Sequence, residues 1–193
     1  IPMTKVVFFV SRNKDNQNVG GFKERKETHF CKNTIEVADK FYKFVKEGKK
    51  GETSRFYVSV NDRDEDKARK ALVCALVMEE VPPEKVKTKA VSLAMKPENA
   101  ATKKWLFDFD CDDEKEFRAF VDALVQKEGT PVNFLETGRR TKNGYAVVVA
   151  HGFDTRGFLD EWNERLKKQN PNWGIELKKD AMLLWTWATN TEG

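Results

Sequence analysis

The stretch Trp105-Leu106-Phe107-Asp108-Phe109-Asp110 decides how this chain is read. Alternate side chains of a β-strand point to opposite faces, so Trp105, Phe107 and Phe109 share one face, and Leu106, Asp108 and Asp110 share the other. The aromatic face suits packing against helices. Two carboxylates two residues apart on the opposite face repel each other, and partial burial adds to the cost. A divalent cation removes that repulsion, and hard oxygen donors are what Mg2+ or Mn2+ prefers. Asp108 and Asp110 are therefore candidate metal ligands. A local alternative stands beside this: Asp110, Asp112 and Asp113 precede a helix, where acidic residues cap free N–H groups and complement the helix dipole. Capping accounts for Asp110 onward. It gives no reason for Asp108, which sits inside an aromatic strand.

Working outward, hydrophobic spacing predicts a strand over 104–110 and a helix over 113–127 that turns Phe117, Phe120, Val121, Leu124 and Val125 to one face. A strand over 131–137, a basic turn over 138–144 and a strand over 145–151 follow. A helix over 155–169 carries Phe158, Leu159, Trp162 and Leu166 inward, and strands over 174–179 and 181–189 end the chain. This is β-α-β-β-α-β plus one strand, a ferredoxin-like order. It predicts an antiparallel sheet with helices on one face and the other face available for function.

Upstream, strands are expected at 6–10 and 55–61, and the polar stretch 13–26 reads as a loop or mobile arm. A helix capped by Asn33 or Thr34 carries Ile35, Val37, Ala38, Phe41, Phe44 and Val45 at helical spacing until Gly48 stops it. A second, capped by Asp62 or Asp64, buries Ala68, Ala71, Leu72, Ala75 and Leu76. Pro82-Pro83 breaks it, and Pro83 opens a third over 84–95. The segment 96–104 reads as a linker. The expected fold is α+β: an N-terminal α/β module (1–97) packed on a ferredoxin-like, RRM-like C-terminal core (98–193).

The chain has 193 residues, 39% of them hydrophobic, with 14 Phe and 5 Trp, which argues for a packed core over disorder. The 35 Lys and Arg against 31 Asp and Glu give a net charge of +4, which permits an anionic partner and does not demand one. No apolar run approaches the roughly 20 residues that cross a bilayer, and the opening Ile1-Pro2-Met3 is unlike a secretory leader. Cys31, Cys74 and Cys111 are scattered, with no Cys/His cluster, so neither a disulfide framework nor a zinc site is expected, and a soluble, cytoplasmic setting is. His29 and His151 belong to no paired-histidine motif. Without a Gly-x-Ser-x-Gly elbow, a phosphate loop or a dinucleotide fingerprint, hydrolase, P-loop and dinucleotide readings fall away.

Three further features carry chemistry. The hairpin Glu136 to Tyr145 holds Arg139, Arg140 and Lys142 with Gly138 and Gly144, which offers guanidiniums and backbone N–H groups to an oligophosphate. It also reads as an ordinary solvated hairpin, because Asn143-Gly144 is a strong turn dipeptide. Asp180 sits between strands, where Lys-Asp is common for local reasons. It is either such a turn residue, which the sequence favours, or the third carboxylate of a metal site. Trp185 and Trp187 occupy alternate positions on the last strand, buried in a core or displayed for stacking.

The pattern resembles the archaeo-eukaryotic primase-polymerase superfamily, in which an α/β module precedes an RRM-like palm. Leu106-Phe107-Asp108-Phe109-Asp110 is similar to that superfamily's carboxylate motif. Thr141-Lys142-Asn143-Gly144-Tyr145-Ala146 resembles its hairpin motif, and Lys179-Asp180 its third motif, over roughly the last ninety residues. The chain departs from the pattern at Ala146, where the superfamily has a histidine; by strand parity His151 falls on the opposite face. The resemblance implies metal-dependent nucleotidyl transfer on a nucleic-acid strand. Asp108, Asp110 and Asp180 would hold Mg2+ or Mn2+, and Arg139, Arg140 and Lys142 would hold the nucleoside triphosphate. The alternatives are a non-catalytic module binding single-stranded nucleic acid on the same scaffold, and a regulator that binds a protein partner through the 13–26 segment.

Overall fold

The computed structural model describes residues 1–127, 139–180 and 182–193, with residues 139, 140 and 184–186 described by their backbone. The first half holds β1 (Met3–Ser11), β2 (Arg25–Cys31), α1 (Ala38–Lys46), β3 (Thr53–Ser59), β4 (Arg63–Asp64), α2 (Glu65–Met78) and α3 (Val86–Ala94). The second holds β5 (Trp105–Asp110), α4 (Glu114–Gln126), β6 (Arg139–Arg140), β7 (Tyr145–Val149), α5 (Phe158–Gln169), β8 (Gly174–Lys179) and β9 (Met182–Thr189). The chain is α+β and divides into two compact units, Ile1–Thr102 with Met182–Gly193, and Lys103–Ala181. Among the described residues no helix is long and apolar enough to cross a membrane.

The first unit is built on an antiparallel sheet of order β2-β1-β3-β9, with β4 paired to the start of β1. Alternation along β1 sorts its two faces. Val7 and Phe9 meet Phe56 and, from α1, Phe44, while Val6 meets Val91 and Ala94 of α3. Phe9 and Phe56 are buried almost completely, each contributing about 1.5–3 kcal/mol of transfer free energy. Local caps fix the helix starts: Asn33 Oδ1 accepts the Ile35 N–H at 3.1 Å ahead of α1, and Asp64 Oδ1 accepts the Lys67 N–H at 3.1 Å in α2.

The second unit is an antiparallel sheet of order β6-β7-β5-β8 with α4 and α5 on one face. Phe107 and Phe109 from β5, Val147 and Val149 from β7 and Ile175 from β8 pack against Phe117, Phe120 and Leu124 of α4 and Leu166 of α5. The aromatic face of β5 is thus on the helical side, as its alternation predicts.

The structure differs from the sequence expectations in several places. The final strand pairs with β3 of the first unit instead of extending the C-terminal sheet, because β3 has an edge that β9 completes through backbone hydrogen bonds. The first compact unit runs to Thr102 before the chain enters the second. The 13–26 segment is anchored rather than loose: Asn16 Nδ2 donates to Arg12 O at 2.8 Å and Thr53 O at 3.1 Å, and Asn16 Oδ1 accepts the Thr53 N–H at 2.6 Å. Ile35 lies in a single 3-10 turn ahead of α1 and is 72% exposed, so it does not join the stripe of Phe41 and Phe44. The strand expected at 131–137 lies outside the described residues.

Candidate functional site

β5 lies between β7 and β8, so Leu106 and Asp108 on its second face have a neighbour on each side, while Asp110 is paired to β8 alone. Register places Asp108 beside Ala146 of β7 and Glu176 of β8, Leu106 beside Val148 and Lys178, and Asp110 beside Gly174. Asp108, Asp110, Glu176 and Lys178 therefore share the face turned away from α4 and α5. Leu106, Ala146 and Val148 share it too and are buried, so this face is open at Asp110 and Glu176 and closed around Leu106 and Val148. The second face, expected to be available for function, is so at its Asp110–Glu176 end and not around Leu106 and Val148.

The Asp108 side chain is 27% exposed, and its Oδ2 lies 3.5 Å from Lys178 Nζ. Burial pushes its carboxyl above the ordinary range, the charges of Asp110 and Glu176 push the same way, and Lys178 pulls it back only in part. The capping alternative for Asp110 can now be placed. The residue that caps α4 is Asp113, whose Oδ1 accepts the Lys115 N–H at 2.9 Å. Asp110 remains the exposed last residue of β5, and the chain turns directly after it through a Cys111 N–H to Phe109 O bond of 3.0 Å. Neither Asp108 nor Asp110 is consumed by the helix.

The hairpin is brought to the Asp110 end of the sheet. Phe109 pairs with Tyr145, and an added Cβ at Gly144 would stand 2.0 Å from Phe109 O, so only glycine lets the turn approach so closely. The Thr141 N–H donates to Gly144 O at 2.8 Å, which closes the turn that carries the exposed Lys142. The backbones of Arg139 and Arg140 pair with Ala146 and Tyr145, which puts Arg139 in the same register row as Asp108; both side chains lie outside the described residues.

Asp180 is not gathered with the other two carboxylates. The antiparallel register pairs Lys179 with Trp105, at the beginning of β5, whereas Asp110 is at its end. Six register positions at about 3.3 Å each separate Asp180 from Asp110, roughly 20 Å. Its φ of 53° is that of a turn residue, which agrees with the local reading. Glu176 is the carboxylate that stands across from Asp108. It escaped the sequence reading because nothing local says that β8 pairs with β5; once that pairing is known, alternation around Ile175 and Leu177 turns Glu176 and Lys178 to the Asp108 face. His151 lies beyond the end of β7, exposed, with Nδ1 3.0 Å from Gly152 O.

Among the described residues no three His, Cys, Asp or Glu side chains gather to hold a metal ion. Two adjacent carboxylates still suit a hard cation of the Mg2+ kind, which keeps waters and takes phosphate oxygens as its remaining ligands. The surplus of negative charge that raises Asp108 is what such an ion relieves. No family model, no curated protein and no solved structure matches the chain.

Proposed function

We propose that the chain is a primase-polymerase-like nucleotidyltransferase that acts on a nucleic-acid strand with a nucleoside triphosphate, in the cytoplasm. The observation that carries this is the Asp108–Asp110 pair on an interior strand: two carboxylates that cap nothing, one of them pushed above the ordinary carboxylate range by burial and by its acidic neighbours. The element order β5-α4-β6-β7-α5-β8 and the sheet order β6-β7-β5-β8 support a ferredoxin-like, RRM-like palm.

In this reading Asp108 and Asp110 hold Mg2+ or Mn2+, which would neutralise phosphate charge and lower the barrier to in-line displacement. Lys178 keeps Asp108 oriented and lends it a counter-charge before the ion arrives. In the same reading Lys142, on the turn that Gly144 docks at the Asp110 end, would meet triphosphate oxygens together with Arg139 and Arg140, whose backbones belong to β6. Asp180 is left as a turn residue.

Calorimetric titration with Mn2+ tests the site. Wild-type protein gives a binding isotherm that Asp108→Asn and Asp110→Asn each lose, and equal heats for all three would remove the metal site. The Asp108–Lys178 pair favours a second reading, a strand-binding protein in which the lysine takes the place of the ion. That reading expects no Mn2+ heat in the wild type and no primer extension, with strand binding retained.

A further inference from the structure

The sheet of the first unit has a second surface with its own chemistry. Register aligns Lys26, Val10, Arg55 and Trp187 in one row and Thr28, Phe8 and Tyr57 in the next, all on the face opposite α1. Phe8 and Tyr57 lie directly opposite each other on the two central strands; Phe8 packs against the Val6, Val91 and Ala94 cluster, where α3 covers one end of this face, Tyr57 is half-buried, and Trp187 is 41% exposed. Two of the rings carry a cation: the Arg55 guanidinium is 5.0 Å from the Trp187 centroid, and Lys26 Nζ is 4.8 Å from that of Phe8.

The arginine is not a loose surface group. Its Nε and Nη2 donate to Asp15 at 2.6 and 2.9 Å, and its Nη1 lies 3.4 Å from Tyr57 Oη. Arg12 donates to the same carboxylate through Nε at 2.8 Å. Two guanidiniums thus share one carboxylate, which leaves this cluster with one surplus positive charge, and Lys26 adds another. Asp15 is itself 6% exposed on its side chain, so it acts as an internal strut that sets the direction of both arginines.

Single exposed aromatics need no explanation on a protein surface. Three rings with two cations on adjacent rows of one sheet face, and Arg12 just beyond the end of β1, do. We propose that this face binds single-stranded nucleic acid, with bases stacking on Trp187 and beside it on Tyr57 and phosphates meeting Arg12 and Lys26, while Arg55, 11% exposed on its side chain and bound to Asp15, holds the Trp187 ring in place. Unpaired bases offer a flat apolar face to the rings and a backbone charge to the cations. An acidic peptide would use the cations and leave the rings without a partner, and a duplex keeps its base faces stacked inside. The inference holds whether or not Asp108 and Asp110 bind a cation.

Fluorescence anisotropy tests it, using labelled oligothymidylate, oligouridylate, a duplex of equal length and a poly-glutamate peptide. All are measured in EDTA, so the metal site plays no part. Wild-type protein is expected to bind a single strand, of DNA or of RNA as the two arms report, ahead of duplex and peptide. Trp187→Ala should weaken that binding about tenfold. Trp187→Phe should stay close to wild type because a ring remains. Lys26→Gln should reduce the slope of log affinity against log salt by about 0.7, one phosphate contact. Unchanged affinity in a folded Trp187→Ala, or peptide or duplex bound as tightly as single strand, would overturn it.

Discussion

Gly144 gives the most direct test of the way the hairpin and β5 are held together. Its missing side chain is a requirement of backbone packing: a Cβ there would stand 2.0 Å from Phe109 O, 2.8 Å from Cys111 N and 2.9 Å from Cys111 O. A carbon meets a carbonyl oxygen comfortably at about 3.3–3.6 Å, so the overlap with Phe109 O exceeds about 1.3 Å. All three obstacles are main chain, so no rotamer change relieves them. β7 must draw away from β5, which opens the Phe109–Tyr145 pair next to the site. Losing two buried backbone hydrogen bonds at about 1–1.5 kcal/mol each, with residual strain, puts Gly144→Ala near 3 kcal/mol destabilising. For a chain of this size that lowers the melting temperature by roughly 6–12 °C. Gly20→Ala is the control, because nothing lies within 4 Å of the added methyl, and it should melt within about 2 °C of wild type. Circular dichroism melts of the three proteins decide the matter, and a Gly144→Ala that melts with wild type would show that the close approach is not a constraint.

Other perturbations report on separate parts of the molecule. Glu52 is 2% exposed and accepts from Ser11 Oγ at 2.6 Å, from Arg25 Nη2 at 2.6 Å and from the Lys49 N–H at 2.8 Å. Burial alone would raise its carboxyl, but the Ser11, Lys49 and Arg25 donors outweigh it and hold it below the usual range. Its contribution is present above the unfolded value near 4.3 and is lost as pH falls through the folded value. Glu52→Gln should cost about 3 kcal/mol at pH 7 and flatten the acid limb of a stability-versus-pH curve; parallel curves would contradict this. Asp108 has the opposite sign: its folded value is raised, so ionising it costs stability as pH climbs through and above the unfolded value. Asp108→Asn should therefore melt higher than wild type at pH 7 and converge with it near pH 4, and a lower melt at pH 7 would contradict the like-charge argument. Phe120→Ala removes a ring with no exposure from the core of the second unit and should cost about 3–5 kcal/mol by urea titration.

What could be read from the sequence was whatever local periodicity controls. The parity of β5, the inward stripe of α5, that of α4 apart from the 43% exposed Val125, and the bounds of β8 follow from spacing alone, because each element buries one face and its pattern records which. Pairings between distant segments leave no such record. β9 carries an alternation that would suit either sheet, and its partner is decided by β3, more than a hundred residues away. The neighbours of Asp108 are hidden for the same reason: Glu176 and Lys178 become part of the site only through the β5–β8 register, and that register also removes Asp180 to the far end of the strand. Among the clustered acids before α4, composition could not say which one caps; the geometry assigns Asp113 and frees Asp110.

The way this chain treats its other inward carboxylates is what gives Asp108 its meaning. Asp15 receives four guanidinium donors from Arg12 and Arg55, and Glu52 receives a hydroxyl, a main-chain amide and Arg25; both are held in the ionised form against the cost of burial. Those are structural carboxylates, and the fold satisfies them completely. Asp108 is also largely buried, yet its surroundings are one ammonium at 3.5 Å and two further acids, Asp110 and Glu176, and its carboxyl moves up instead of down. A fold that builds full donor sets for Asp15 and Glu52 had the means to do so here, or to place a threonine or valine in the strand at no cost. Local consistency is broken where a site serves something outside the chain, and under the proposed function a phosphate-bearing cation complex would supply the positive charge that this pair of acids lacks.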